Sequence, residues 1–424
     1  MDSSGSDPDF EVVMDRTAHL NLDCGLELGV VPLPEAQVVA VELRVLAGAA
    51  DEPAEKLGLA RLIQETINKG TEQREGRALL DAFDELGASV GSWAGREATG
   101  FSFVCLPEFV ERAVELHAEF LRRPTFPEDA VQTALALAEQ EMAALEDDPP
   151  SLADKLISRQ GFGPVLGRHP LGERETLARI GRDDLVEHWR RTFATGRMQV
   201  TAAGPVEPDA VAAMIERHLA GFGDGERTGR ERFEFSFAPA RSHHSKELEQ
   251  EQIAICFPSA AVTDADFPVE RVLLGVLSGG MSARLFTEVR EKQGLAYDVH
   301  AMNDNPRGWG MIFVSASCKP DRAETTFRTL LREIDRLSED LTEDELDRAR
   351  SRIIAREETL ADLTRSRRSA LSYDLFHRGH PLSLEERIEQ IRGVTADDLS
   401  RYLAGHPRDR LSILTLGPHE LTDV

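Results

Sequence analysis

In the stretch "GLARLIQETINKGTEQR", Gly58 to Arg74, the apolar residues Leu59, Leu62, Ile63 and Ile67 fall at i, i+3, i+4 and i+8. That spacing puts them on one stripe of a helix and predicts that this face is buried. Arg61, Gln64, Glu65 and Asn68 share the opposite stripe, and Gly70 is placed to end the helix. Two longer stretches, 127–146 and 342–358, carry the same helical period, whereas "QVVAVELRVLAG" and "RMQVTAAG" have the character of strands. Because strands and helices do not alternate strictly, the pattern predicts an α+β fold with helices layered on mainly antiparallel sheet.

The second half of the chain echoes the first. "GLARLIQETINKG" aligns with "VERVLLGVLSGG", so that Leu59, Leu62, Ile63 and Ile67 match Val269, Val272, Leu273 and Leu277; the buried face recurs and the polar stripe does not. "GFSFVCLP" (100–107) resembles "GMIFVSASCKP" (310–320), and "RHPLGERETLARIGRDDLVEHW" resembles "GHPLSLEERIEQIRGVTADDLSRY". His169-Pro170-Leu171 and His380-Pro381-Leu382 are then one structural turn used twice, not two metal sites. The expected organisation is two homologous halves, 1–223 and 248–424, joined by a polar linker, 224–247, that includes His243 and His244.

Composition narrows the possible functions. With 75 Asp and Glu against 49 Lys and Arg, the formal charge of −26 argues against a nucleic-acid partner, whose phosphates would be repelled. No apolar run approaches the roughly 18 to 20 residues of a membrane helix. The opening "MDSSGSDPDF" has no basic segment leading into an apolar one, so the expected location is the cytoplasm. Cys24, Cys105, Cys256 and Cys318 are far apart in apolar surroundings and are expected as buried, reduced thiols.

"GLARLIQETINKGTEQR", "EDDPPSLADKL", "HPLGERETLARI", "LSGGMSARLFTEVREKQGLAYDV" and the closing "LTLGP", in this order on a tandem repeat, resemble the pitrilysin/insulinase metallopeptidase family, above all its half-size, two-chain members of the mitochondrial processing peptidase type. Active members carry His-x-x-Glu-His where this chain has Arg61, Gln64 and Glu65. Zinc there needs two neutral imidazoles, a glutamate to take a proton from metal-bound water, and a further carboxylate. Arg61 is a permanent cation, Gln64 is no base, and Glu65 alone cannot hold the ion, so no metal is expected in this chain. These three residues are expected on a solvated or interface-facing helix face. The family's third ligand falls within 132–141, where Gln132 and Ala134, or Glu139 and Glu141, take the corresponding places.

The second motif is intact. "SARLFTEVREKQGLAYDV" predicts a helix with Leu285, Phe286 and Val289 buried, closed by Gly294 and followed by a strand from near Leu295. The resemblance implies that Arg290 and Tyr297 reach over a zinc-bound substrate carbonyl; the plainer alternative is that Arg290 caps the helix and Tyr297 fills the core. It further implies a homologous partner bearing His-x-x-Glu-His and the zinc, a chamber between the two chains, and unfolded or short peptides as substrates, basic ones favoured by the acidic charge. The competing expectation is a non-enzymatic scaffold resembling the core subunits of respiratory complexes.

Overall fold

The repeat in the sequence is a repeat of two sheets, and the strands fall in the same spatial order in each. The computed structural model describes residues 17–223, 232–406 and 410–421. Six strands, β1 (Ala18–Asn21), β2 (Glu27–Pro32), β3 (Val39–Val45), β4 (Ser89–Ala94), β5 (Thr99–Cys105) and β6 (Met198–Gly204), form a sheet in the order β1-β2-β6-β3-β5-β4. Five more, β7 (Arg241–Ser245), β8 (Glu251–Ser259), β9 (Ala296–Asp304), β10 (Gly310–Cys318) and β11 (Ser412–Gly417), follow the order β7-β11-β8-β10-β9. Only β2 with β6 and β7 with β11 pair in parallel; the rest is antiparallel.

The stretch 224–247 is therefore not linker throughout. Residues 224–231 lie outside the described residues, but Arg241–Ser245 is a strand, and His243, half-buried, meets the Thr415 hydroxyl at 2.8 Å through Nδ1. Its sequence is polar because it is an edge strand with one solvated face.

Both short helices align as the hydrophobic pattern predicts. Leu59–Thr66 with Ile67 at its C-cap, and Phe267–Ser278, bury all eight matched apolar residues, each against its own sheet. The first helix stops at Thr66, before Gly70. Glu128–Glu146 and Glu343–Ala361 are the two long helices, and Thr342 fixes the start of the second by accepting the Glu345 amide.

The halves are interlocked. On β3, Val39, Val41, Leu43 and Val45 point into the first core, so Glu42 and Arg44 face the other way, where helix Thr364–Arg378 of the second half lies. Arg368 and Ser372 donate to the Glu42 carboxylate at 2.5 and 2.6 Å, and Leu371 and Leu375 pack on Val31 and Ala203. Reciprocally, helix Pro149–Leu166 of the first half sets Ile157, Phe162 and Leu166 against Cys256, Met311, Phe313 and Leu414 of the second sheet. Two glycines permit this. A Cβ on Gly29 would stand 2.8 Å from Leu375, and one on Gly161 2.7 Å from the Cys256 sulfur. Arg96 adds a two-pronged ion pair to Asp304, at 2.8 and 2.6 Å, across the halves.

The four cysteines are free thiols. Cys105, Cys256 and Cys318 are buried, and burial pushes them up to about 11, 12 and 11; Cys24 is only partly buried, because it sits in the turn between β1 and β2.

Candidate functional site: a displaced metal motif and an exposed Arg–Tyr pair

Of the solvated or interface-facing positions expected for the polar stripe of helix Leu59–Thr66, the structure gives a largely covered one, with Gln64 buried and Arg61 and Glu65 half-buried. The stripe faces helix Glu128–Glu146 and the edge strand β4. Gln64 is buried, and its amide donates to the Ser92 hydroxyl on β4 at 2.6 Å while its carbonyl oxygen accepts from Arg61. Arg61 also pairs with Glu65 one turn on, and its second guanidinium nitrogen meets both oxygens of Glu141 at 2.8 and 3.1 Å. Burial works against the Arg61 charge, but the hydrogen bonds and attraction of Glu65 and Glu141 outweigh it and hold its pKa above the ordinary value.

Of the candidate third-ligand positions, Glu141 is the one that reaches this helix. Gln132 is exposed and donates to Glu128, Ala134 is buried in the core, and Glu139 is exposed. The donor set does not fit zinc. Both carboxylates that could serve as ligands are taken by a guanidinium, which supplies the positive charge a metal would bring, and imidazoles are lacking. Among the described residues, no group of three or more His, Cys, Asp or Glu side chains could hold a metal ion.

The same device recurs in the second half, so one polar position of the stripe is shared after all. Arg271, which aligns with Arg61, forms an ion pair with Glu357 on the corresponding long helix. The alignment already sets Arg271 against Arg61, but the ion pairs themselves could not be read from it, because the carboxylates come from distant helices.

The motif helix is held at its start by a buried carboxylate. Glu52 accepts the backbone amides of Gly58 and Ala60, each at 2.7 Å, and Gly58 takes a φ of 111°, a conformation suited to glycine. Burial pushes Glu52 up to about 8, against the pull of those two amides. Its folded value lies above its ordinary one, so the stability it contributes is complete below about 4.5 and is lost as pH rises through 8. The buried histidines His117 and His188 and the half-buried His169 and His377, all lowered by desolvation, act in the opposite sense only below 6.5. Stability should therefore fall between pH 6.5 and 8 as Glu52 ionises. Urea midpoints at the two pH values test this. A smaller decline in the Glu52→Gln variant is expected, and a midpoint that does not move with pH contradicts it.

The second motif is placed differently. Arg284 anchors its helical segment through a bidentate pair with Glu345 at 2.7 and 2.8 Å and a bond to Asp340 at 2.8 Å. Hydrogen bonding to Arg284 and Thr342 outweighs burial and draws Glu345 down to about 2. Leu285 and Val289 are fully buried and Phe286 partly so, while Phe286–Lys292 winds as a wide π-type turn. Gly294, at φ 58°, reverses the chain, and β9 begins at Ala296. The reversal lays the Arg290 guanidinium over the Tyr297 ring, 4.8 Å from its centroid and 4.9 Å from that of Phe286.

Arg290 is exposed and Tyr297 is 76% exposed, so Tyr297 does not fill a core. Among the described residues, neither the guanidinium nor the phenol hydroxyl has a hydrogen-bond or ion-pair partner, which leaves both free to donate to a ligand.

These features define a peptidase-like α+β chain whose metal motif has become an ion-pair cluster and whose second motif is open to solvent. Residues 31–172 match the model of the insulinase family, peptidase family M16, and residues 179–353 match that of the peptidase M16 inactive domain. An uncharacterized zinc protease of Rickettsia felis is 27% identical over 386 residues, covering 88% of this chain and 91% of that one. The fold is that of a peptidase M16 inactive domain from Pseudomonas fluorescens (TM-score 0.85, 20% identity, 96% of this chain and 99% of that one). A protease from Helicobacter pylori also shares it (TM-score 0.87, 17% identity, 95% and 100%). The chain belongs to the insulinase, or M16, peptidase family.

Proposed function

We propose that this chain is the zinc-free subunit of a two-chain M16 peptidase and supplies Arg290 and Tyr297 to a site whose metal is held by a homologous partner. The supporting observation is the contrast between the two motifs. One is closed on itself by Arg61, Glu65 and Glu141; the other presents two unengaged donors side by side on the surface. When water adds to a peptide carbonyl the oxygen becomes an oxyanion, and a guanidinium and a phenol held in advance can donate to it without reorganisation. The zinc, on the partner, would polarise that carbonyl and activate the water. The substrates in this reading are unfolded or short peptides, and the setting is cytoplasmic.

Mixing purified chains tests it. The chain alone should contain no stoichiometric zinc and cleave no unstructured peptide, and cleavage should appear, or rise well above the partner's own rate, when a homologue bearing His-x-x-Glu-His is added. Zinc and cleavage by the isolated chain would refute the proposal. Formation of a complex with no gain in cleavage would favour the scaffold reading.

A further inference from the structure

The second half has a cleft where the first half has its displaced metal motif. It lies among helix Phe267–Ser278, helix Glu343–Ala361, helix Thr364–Arg378 and the edge strand β9, with a volume of about 660 Å³, within the range of ligand-binding sites. Arg271, Arg352, Arg356, Arg378 and Arg387 line it, and Glu357 is the one carboxylate among its lining residues. In a chain of formal charge −26, such a concentration of cations is a marked local reversal.

The five arginines are not equally engaged. Arg271 pairs with Glu357, and Arg378 and Arg387 both pair with the buried Asp374 beneath the cleft. Arg352 and Arg356 are exposed and, among the described residues, have no ion-pair or hydrogen-bond partner. Arg352 is nonetheless seated, because the bare backbone of Gly280, at φ 148°, leaves the space its guanidinium occupies. Beside these cations the wall is apolar: Met302, Leu360 and Tyr373 are 49%, 39% and 37% exposed. Free guanidiniums next to accessible apolar surface match a ligand that carries carboxylates and apolar groups together.

We propose that this cleft binds acidic segments of peptides, their carboxylates between Arg352, Arg356 and Arg271 and an apolar side chain against Tyr373 and Met302. The proposal deepens the subunit reading by naming a substrate class. It also runs against the preference for basic peptides that the overall charge implies. Its test needs neither zinc nor a partner, so either idea can fail while the other stands.

The test is fluorescence anisotropy of a labelled ten-residue peptide rich in Glu with two Leu, titrated with the full chain at low salt. Binding should weaken as salt rises and should fall on the order of tenfold in Arg352→Ala and again in Arg356→Ala. Both side chains are exposed and unpaired, so these variants should keep the parent's unfolding midpoint. Arg352→Lys should retain part of the affinity, since it keeps the charge and loses the fork. Three results would overturn the proposal: unchanged binding in the double variant, equal binding of the same peptide with Gln for Glu, or displacement by inorganic phosphate at concentrations matching the peptide's own affinity, which would mark a general anion site.

Discussion

Arg290→Ala in the full chain, assayed with a homologue bearing His-x-x-Glu-His as the proposed function requires, is expected to lower kcat by about 10² to 10³, the usual cost of one oxyanion donor. The size follows from the chemistry. A donor that serves the transition state more than the bound substrate affects kcat and kcat/KM together, so KM should change little. Tyr297→Phe should also lower kcat, because it removes the hydroxyl and keeps the ring over which Arg290 rests. Both residues are exposed, so neither substitution should shift the unfolding midpoint or the affinity for the partner. A purely structural pair would show the reverse: a lowered midpoint with kcat intact. Full cleavage activity in both variants would remove the catalytic role assigned to them.

Arg368→Ala is expected to destabilise the folded chain by about 1.5–3 kcal/mol, the worth of a hydrogen bond to a buried charged group, since Glu42 keeps Arg44 as its other cation. Glu42 is buried on the outer face of the first sheet, and Arg368 reaches it from a helix of the other half. Burial alone would raise the Glu42 pKa, but attraction from Arg44 and Arg368 and the hydrogen bond from Ser372 outweigh it and hold it below the ordinary value. Because the folded value is lowered, this contribution is present above 4.5 and is lost as pH falls through the folded value. The variant should therefore lose stability most clearly near neutral pH, measured as a shift in urea midpoint. Replacing the whole cluster, Glu42→Gln with Arg44→Met and Arg368→Met, should cost less than the single change, because no unpaired charge is left behind. Equal losses would mean that the helix is held by Leu371 and Leu375 alone.

The two substitutions probe features of different legibility. Arg290 and Tyr297 were picked out by the family resemblance, and the elements that carry them were legible because an amphipathic helix, a glycine stop and a strand are each set by neighbouring residues. Arg368 did not stand out, because a polar helix sequence such as "TRSRRSALSYDLFHR" gives no sign of burial until its partner is known. That partner is Glu42, on a strand of the other half. The same holds for β7, whose ladder partner β11 lies near the far end of the chain, and for Glu141, whose meeting with Arg61 depends on how two helices pack.

The sequence by itself determined the tandem repeat, the α+β class, the buried stripes of the paired helices and the lack of imidazoles at the metal motif, since each is a matter of residue type and local period. The tertiary structure alone decided where the polar residues went. It turned Arg61, Gln64 and Glu65 inward onto Glu141 and Ser92, exchanged a helix between the halves, and gathered five arginines into one cleft. The reason is physical: apolar burial follows a short period that any helix or strand displays, whereas a buried charge is tolerated only where a partner, often distant in sequence, arrives to meet it.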